Sequence, residues 1–304
     1  DAASFYVLFA LMSLSAYGLV AHRGDAAARR AGRAYITFAI TGEVLLVSGL
    51  FVAVWSAGTT SLDDLPARML ARPGGLAAVP LILLGCGMKA GAVPLHPWLP
   101  VSYAAAPLPG AVALAGTMSK AGVLGWIRLL PLGHASLVEW SAPVVLLGIA
   151  ATFYGVAAGL CQRDAKVALA YSSVSQMGFL SAAVGLGLVT PSGWNILLPA
   201  VLVYTLHHGL TKGALFLTVA VPGSAAAGRA QQLWSLAATA ALGLSLAGMT
   251  LTSGAVAKAS LKAAIVASGA PSAAGIVSAL SLAAVGTTLL MARVWWLAAG
   301  SGQA

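Results

Sequence analysis

Residues 203–217 read VYTLHHGLTKGALFL, and three of them, His207, His208 and Lys212, can take up and release protons. Their neighbours suit the hydrocarbon core of a bilayer, where a charged side chain costs roughly 2.5–3.5 kcal/mol on insertion scales. Helical residues four apart share a face, about 6 Å from one another along the axis. That spacing puts Tyr204, His208 and Lys212 in one stripe. His207 lies about 100° round the helix and has Thr211 one turn on; it reads either as a relay member or as a satisfied packing residue.

Five of the six lysines (Lys89, Lys120, Lys212, Lys258 and Lys262) fall inside apolar runs, and only Lys166 lies near a loop. Desolvation disfavours the charged form of an amine, so a lysine in apolar surroundings can load and release a proton near neutral pH; histidine does so without tuning. A row of such groups at mid-membrane depth has the chemistry of a proton relay. Lys120 sits at the middle of its run, too deep to reach an interface by snorkelling, whereas Lys262 is one turn past Lys258 and close enough to a helix end to do so. Glu43 is the sole carboxylate inside an apolar run. Its job is to pair with a lysine of another helix, such as Lys89, either as a gating partner or as a static ion pair.

The elements that position these groups follow from composition. The chain of 304 residues is 60% hydrophobic and only 8% charged, against about 25% charged in a soluble domain. It cannot clothe a water-facing surface and reads as an all-α, polytopic membrane protein. Apolar runs near the roughly 20 residues that span a bilayer fall at 3–21, 34–56, 76–99, 110–132, 140–160, 167–189, 195–221, 231–269 and 273–298, which gives about nine transmembrane helices. The eighth is read as one span broken at MTLTSG (249–254), with two separate helices as the alternative. GCGMKAGAVPLHPWLP (85–100) is interrupted in the same way. Broken helices persist at depth only where protein or a water-filled cavity satisfies the freed backbone, and paired breaks point to inverted repeats. Loop arginines at 22–33, 161–166 and 222–230 place those loops inside and the N-terminus outside.

Other chemistries are poorly supported. The net charge of +9 is not gathered into the exposed clusters that a nucleic-acid surface needs. Cys86 and Cys161 form no metal or redox spacing, GCGMKAG misses a dinucleotide-binding pattern, and two glutamates in the whole chain make a carboxylate-rich metal site untenable. No cofactor is expected in this chain. It opens at Asp1, enters an apolar run at once and shows no cleavable leader, which reads as a piece of a longer protein.

Three ordered motifs, MKAGAVPLHPWLPVSYAAAPLPGAVALAGTMSKAGV (88–123), RDAKVALAYSSVSQMGF (163–179) and HHGLTKGALFL (207–217), resemble the antiporter-like subunits of respiratory complex I. Mrp-type cation/proton antiporters and membrane-bound energy-converting hydrogenases share that family. The resemblance implies a fourteen-helix fold with two inverted repeats, of which 1–132 would be an incomplete first repeat and 140–298 the second, within one transmembrane domain over 1–304. It implies proton carriage by Lys89, Lys120, His208, Lys212 and Lys258, with Glu43, His207, Tyr204 and Lys262 as partner or gating positions. One departure stands out: Ala10, in FALMSLSAYGLV (9–20), occupies the place of the family's glutamate partner of Lys89, and Tyr204 that of a second histidine. The implied function is proton translocation in the cell inner membrane by a non-catalytic subunit, coupled to redox chemistry in partner membrane subunits. The alternatives are an Mrp-type subunit, with sodium as a further coupled ion, and a non-conducting structural subunit.

Overall fold

A computed structural model describes residues 1–300 apart from 223, 225, 226 and 271; the end of the expected C-terminal tail therefore lies outside the described residues. Those residues form thirteen α-helices and no strand: α1 Ala2–Ala21, α2 Ala26–Ala57, the short α3 Leu65–Arg68, α4 Ala78–Ala90, α5 Trp98–Ala105, α6 Leu108–Ala113, α7 Ser119–Leu129, α8 Val138–Leu160, α9 Ala165–Val189, α10 Pro191–Val219, α11 Arg229–Ala247, α12 Ser253–Ala267 and α13 Ala273–Gly300. Aspartates start three of the long ones, with Asp1 accepting from Ser4 N–H at 2.7 Å, Asp25 from Ala28 N–H at 2.7 Å and Asp164 from Val167 N–H at 2.9 Å. All three satisfy backbone donors that a helix start leaves free.

Six helical stretches are long and apolar enough to cross a membrane: 2–21, 26–57, 108–129, 138–160, 165–189 and 273–300. The remaining expected spans are the two interrupted ones and α10, which bears the His/Lys stripe. Leu8, Phe51, Leu146, Leu206, Leu210 and Leu282 point outward, giving the bundle an apolar exterior. With hydrocarbon as the solvent of that exterior, the chain is an integral, multi-pass membrane protein.

Helix packing relies on small residues that let backbones approach. Along the α8/α9 seam, a Cβ on Gly155 would stand 2.5 Å from Ser175 N, and one on Gly178 would stand 2.4 Å from Gly148 O. The α2/α4 seam is as tight: a Cβ on Gly85 would lie 2.8 Å from Leu46 N, and one on Gly49 2.9 Å from Ile82. As a result α9 is enclosed along almost its whole length, whereas α1 is largely open on its outer side.

Both interruptions are present. After Ala90 the chain turns at Gly91, with φ 72°, and Ala92 N–H caps Gly87 O at 3.0 Å. Pro94 and Pro97 then delay a new helix until Trp98. In the second break Gly248 takes φ 93°, Met249 N–H reaches Leu244 O at 3.0 Å, and Thr252 caps α12. A third irregularity was not visible in the sequence: residues Leu114–Met118 form a π-helical turn between α6 and α7.

Overpacking a close seam costs typically about 1–3 kcal/mol. Gly155→Val should therefore lower the thermal unfolding midpoint of the detergent-solubilised protein. Gly275→Ala, where an added Cβ meets nothing within 4 Å, should leave it unchanged or raise it. Equal losses in both would remove the seam as a determinant of the fold.

Candidate functional site

The buried lysines, Glu43, His207 and His208 gather in two clusters. The first joins α1, α2 and α4. Lys89 Nζ, one residue from the end of α4, lies 3.2 Å from Glu43 Oε1 on α2, and both side chains are buried. The ammonium also donates to Phe9 O at 3.3 Å and sits 4.0 Å from the centre of the Phe9 ring. The Ser13 hydroxyl donates to Glu43 Oε1, and Tyr35 O–H donates to Ser13 O at 2.8 Å. The pairing of Glu43 with Lys89 considered from the sequence is thus present in the structure, with Glu43 reaching Lys89 from α2 while Ala10 on α1 offers no carboxylate. Glu43 Oε2 is buried without a partner. Glu43 and Lys89 border a cavity of about 20 Å³ that Tyr35, Trp98 and Met118 help to close, room for a single water-sized sphere.

The second cluster centres on His208 of α10, which is fully buried with neither ring nitrogen paired. Lys120, Lys212, His207 and Lys258 all lie within Coulombic range of it. Lys212 Nζ donates to Leu169 O on α9 at 2.7 Å. Lys120 Nζ donates to Ala115 O inside the π-helical turn and lies 3.1 Å from Ser119 Oγ. That turn and α10 cross closely beside Lys120, since a Cβ on Gly209 would stand 2.7 Å from Gly116 O. π-Bulges occur frequently at functional sites; here one frees a carbonyl for a buried amine.

His207 faces the second break. Its Nδ1 is 3.1 Å from Ser253 Oγ at the start of α12 and 3.3 Å from Thr211 Oγ1, the neighbour expected from the helical spacing. Lys258 Nζ donates to Ala247 O, the last residue of α11, at 3.0 Å and lies 5.4 Å from the Phe179 ring centre. Lys262 is half-buried, with Nζ 3.3 Å from Ser281 Oγ on α13. Tyr204 shares the buried face of His208 and Lys212, but its hydroxyl donates to Gln176 Oε1, and Gln176 Nε2 donates to Thr287 Oγ1 at 3.2 Å. Its ring stacks on Phe179 at 5.7 Å.

His208 and the four basic side chains around it, with no carboxylate among them, cannot all be charged at once, because like charges in a poorly solvating interior repel strongly. A charge on one of these groups therefore disfavours a charge on the others. Ser13, Ser119, Gln176, Ser253 and Thr287 belong to these networks and were not singled out from the sequence. Gln176 was the most accessible of them, as an amide inside an apolar run of α9.

The model of the NADH:quinone oxidoreductase/Mrp antiporter transmembrane family matches residues 1–285. The chain belongs to that family. It is 36% identical over 223 residues to hydrogenase-4 component B of Escherichia coli (strain K12), a match covering 70% of this chain and 33% of that protein. It is 34% identical over 228 residues to NADH-quinone oxidoreductase subunit M of Pseudomonas aeruginosa, covering 70% of this chain and 43% of that one. A Na(+)/H(+) antiporter subunit of Alkalihalophilus pseudofirmus is 28% identical over 222 residues, covering 71% and 44%. Among solved structures of the antiporter-like fold, a chain of the Mrp complex from Dietzia sp. DQ12-45-1b superimposes with a TM-score of 0.80 at 25% identity, covering 97% of this chain and 56% of that one. A chain of the archaeal membrane-bound sulfane sulfur reductase gives 0.79 at 21% identity, covering 95% and 60%, which shows likeness of fold alone. The antiporter-family matches to the first three proteins span between a third and under a half of their length.

Removing one partner of a buried ion pair typically costs about 3–5 kcal/mol, whereas replacing both by apolar or neutral groups can be nearly free. Glu43→Gln should therefore destabilise the protein strongly, and adding Lys89→Met should recover most of the loss, as read from denaturation midpoints of the four members of the cycle. A Glu43→Gln protein as stable as its parent would show that the carboxylate does not compensate the buried amine.

Proposed function

We propose that this chain conducts protons across the membrane as an antiporter-like subunit of a larger complex. The observation that carries this reading is the His208-centred group of basic side chains, all buried and within Coulombic reach of His208. Lys89, Lys120, His208, Lys212 and Lys258 are the carriers. Glu43, His207, Tyr204 and Lys262 act as their partners, Glu43 by holding or freeing the Lys89 ammonium and His207 by linking α10 to the second break through Ser253. Counting each broken pair, α4–α5 and α11–α12, as one crossing and α10 as another gives nine passes. Residues 1–132 then form an incomplete first repeat and 140–298 the second, each with one broken helix.

Proton translocation is the general function of the family, which supports this reading. The redox reaction that drives transport belongs to partner membrane subunits, with no cofactor in this chain, and the complex resides in the cell inner membrane. The likeness to a chain of an Mrp complex favours a second reading, a cation/proton antiporter component in which sodium is the counter-ion.

Lys89→Ala and Lys258→Ala, introduced separately into the full-length protein in its native complex, should each reduce proton uptake into reconstituted vesicles at least about tenfold, the factor that 1.4 kcal/mol represents. Uptake at the parental rate in both variants would leave the chain with a structural role. Sodium-dependent uptake without any redox substrate would decide for the antiporter reading.

A further inference from the structure

One titratable cluster lies outside the two described above. His96 occupies the first break, between α4 and α5, and its Nε2 lies 3.1 Å from the hydroxyl of Tyr154 on α8. The two rings meet edge to face at 5.0 Å, and Tyr171 of α9 closes the group, 6.1 Å from Tyr154 and 6.5 Å from His96 between ring centres. His96 Nδ1 is buried without a partner. Tyr154 is 42% exposed. We propose that His96, Tyr154 and Tyr171 form a lateral port by which water on the side of the Arg163 loop delivers protons to the first helix break.

Three observations converge on it. Tyr154 precedes Cys161, which follows α8, by seven residues, and Tyr171 is six residues into α9; at 1.5 Å per residue both lie about 9–10 Å below the loop that carries Arg163 and Asp164. The break that holds His96 leads directly into α5, which packs on α9, so His96 and the two tyrosines share one end of the molecule. A tyrosine serving only as an interfacial anchor keeps its hydroxyl at headgroup level; Tyr154 turns its hydroxyl inward to an imidazole instead. The remaining buried nitrogen needs a partner, as buried polar atoms almost always have one, and a water molecule at the break would supply it.

The transfer balances without any other reactant. A hydronium ion in the loop-side water gives a proton to the Tyr154 oxygen, becoming water, as the hydroxyl's own proton passes to His96 Nε2; the resulting imidazolium gives its Nδ1 proton to a water molecule in the break. Ring reorientation and the return of a proton between the nitrogens restore the starting tautomer.

This port rests on the proton-conducting reading, and its location can be tested without measuring transport. In the full-length protein in its complex, with exposed Cys161 changed to serine, Tyr154→Cys should react with a charged, membrane-impermeant maleimide added on the loop side. Leu146→Cys, two turns earlier on the same helix and outward-facing, should react only with a lipid-soluble one. Tyr154→Cys behaving like Leu146→Cys overturns the port and leaves the Lys258 and Lys89 results untouched. His96→Gln, which keeps a hydrogen bond to Tyr154 but cannot become a cation, should lower proton uptake about tenfold, and Tyr154→Phe should lower it several-fold with assembly unchanged. Parental uptake in His96→Gln also overturns the proposal, even if Tyr154→Cys is labelled from water.

Discussion

Charge without counter-charge in a dry interior is the constraint on which the rest of this molecule depends. Lys120, His207, His208, Lys212 and Lys258 are enclosed together with no carboxylate among them, while the one buried acid, Glu43, is engaged with Lys89. A bilayer supplies no water to solvate such groups, so the protein answers them with its own dipoles. Lys212 takes the carbonyl of Leu169, Lys258 that of Ala247 and Lys120 that of Ala115. Two of those carbonyls are available because a helix is irregular there: Ala247 ends α11 at the second break, and Ala115 lies in the π-helical turn. For Lys258 and Lys120 the interruption and the amine thus go together, whereas Lys212 and Lys89 take carbonyls of the uninterrupted α9 and α1. An amine without such partners would carry the full cost of desolvation.

The close seams serve the same end. Where α10 crosses the π turn at Gly209 and Gly116, the backbones come near enough to set Lys120 beside His208. The α8/α9 seam makes α9 the enclosed axis of the bundle, and from that axis Leu169, Gln176 and Phe179 reach Lys212, Tyr204 and Lys258. Tyr204 shows how the surroundings change a residue's part. Its helical register sets it beside His208 and Lys212 as a partner position, and its hydroxyl donates to the Gln176 amide oxygen. It holds α10 against α9 through Gln176.

Local regularities were legible in the sequence and tertiary ones were not. The four-residue spacing that joined His207 to Thr211 is a property of one helix, and the pair is found 3.3 Å apart. The first break was readable from its glycines and prolines and the second from its cluster of glycine, threonine and serine, residues that free or divert the backbone from a helix. The π turn left no such mark, because LAGTMSKAG is an ordinary helical sequence and the extra residue is accommodated through packing against α10. Glu43 could be matched with a lysine but not with certainty to Lys89, since the two lie 46 positions apart and meet only through the α2/α4 contact. His96 and Tyr154, 58 positions apart, had no reason to be linked at all. Serine and threonine partners were hidden for another cause: they are common in membrane helices, where most bond their own preceding turn.

The seat of Glu43 determines how its ion pair can open. Acid and amine are carried by α2 and α4, whose backbones are wedged together at Gly49 and Gly85 with no slack for a methyl group. Sliding one helix past the other would break that fit, so parting the charges falls to the flexible tether of the lysine itself. A rotamer change of this kind moves one amine, whereas collective helix motion takes microseconds or longer. The first cluster sets a jointed arm on a rigid frame.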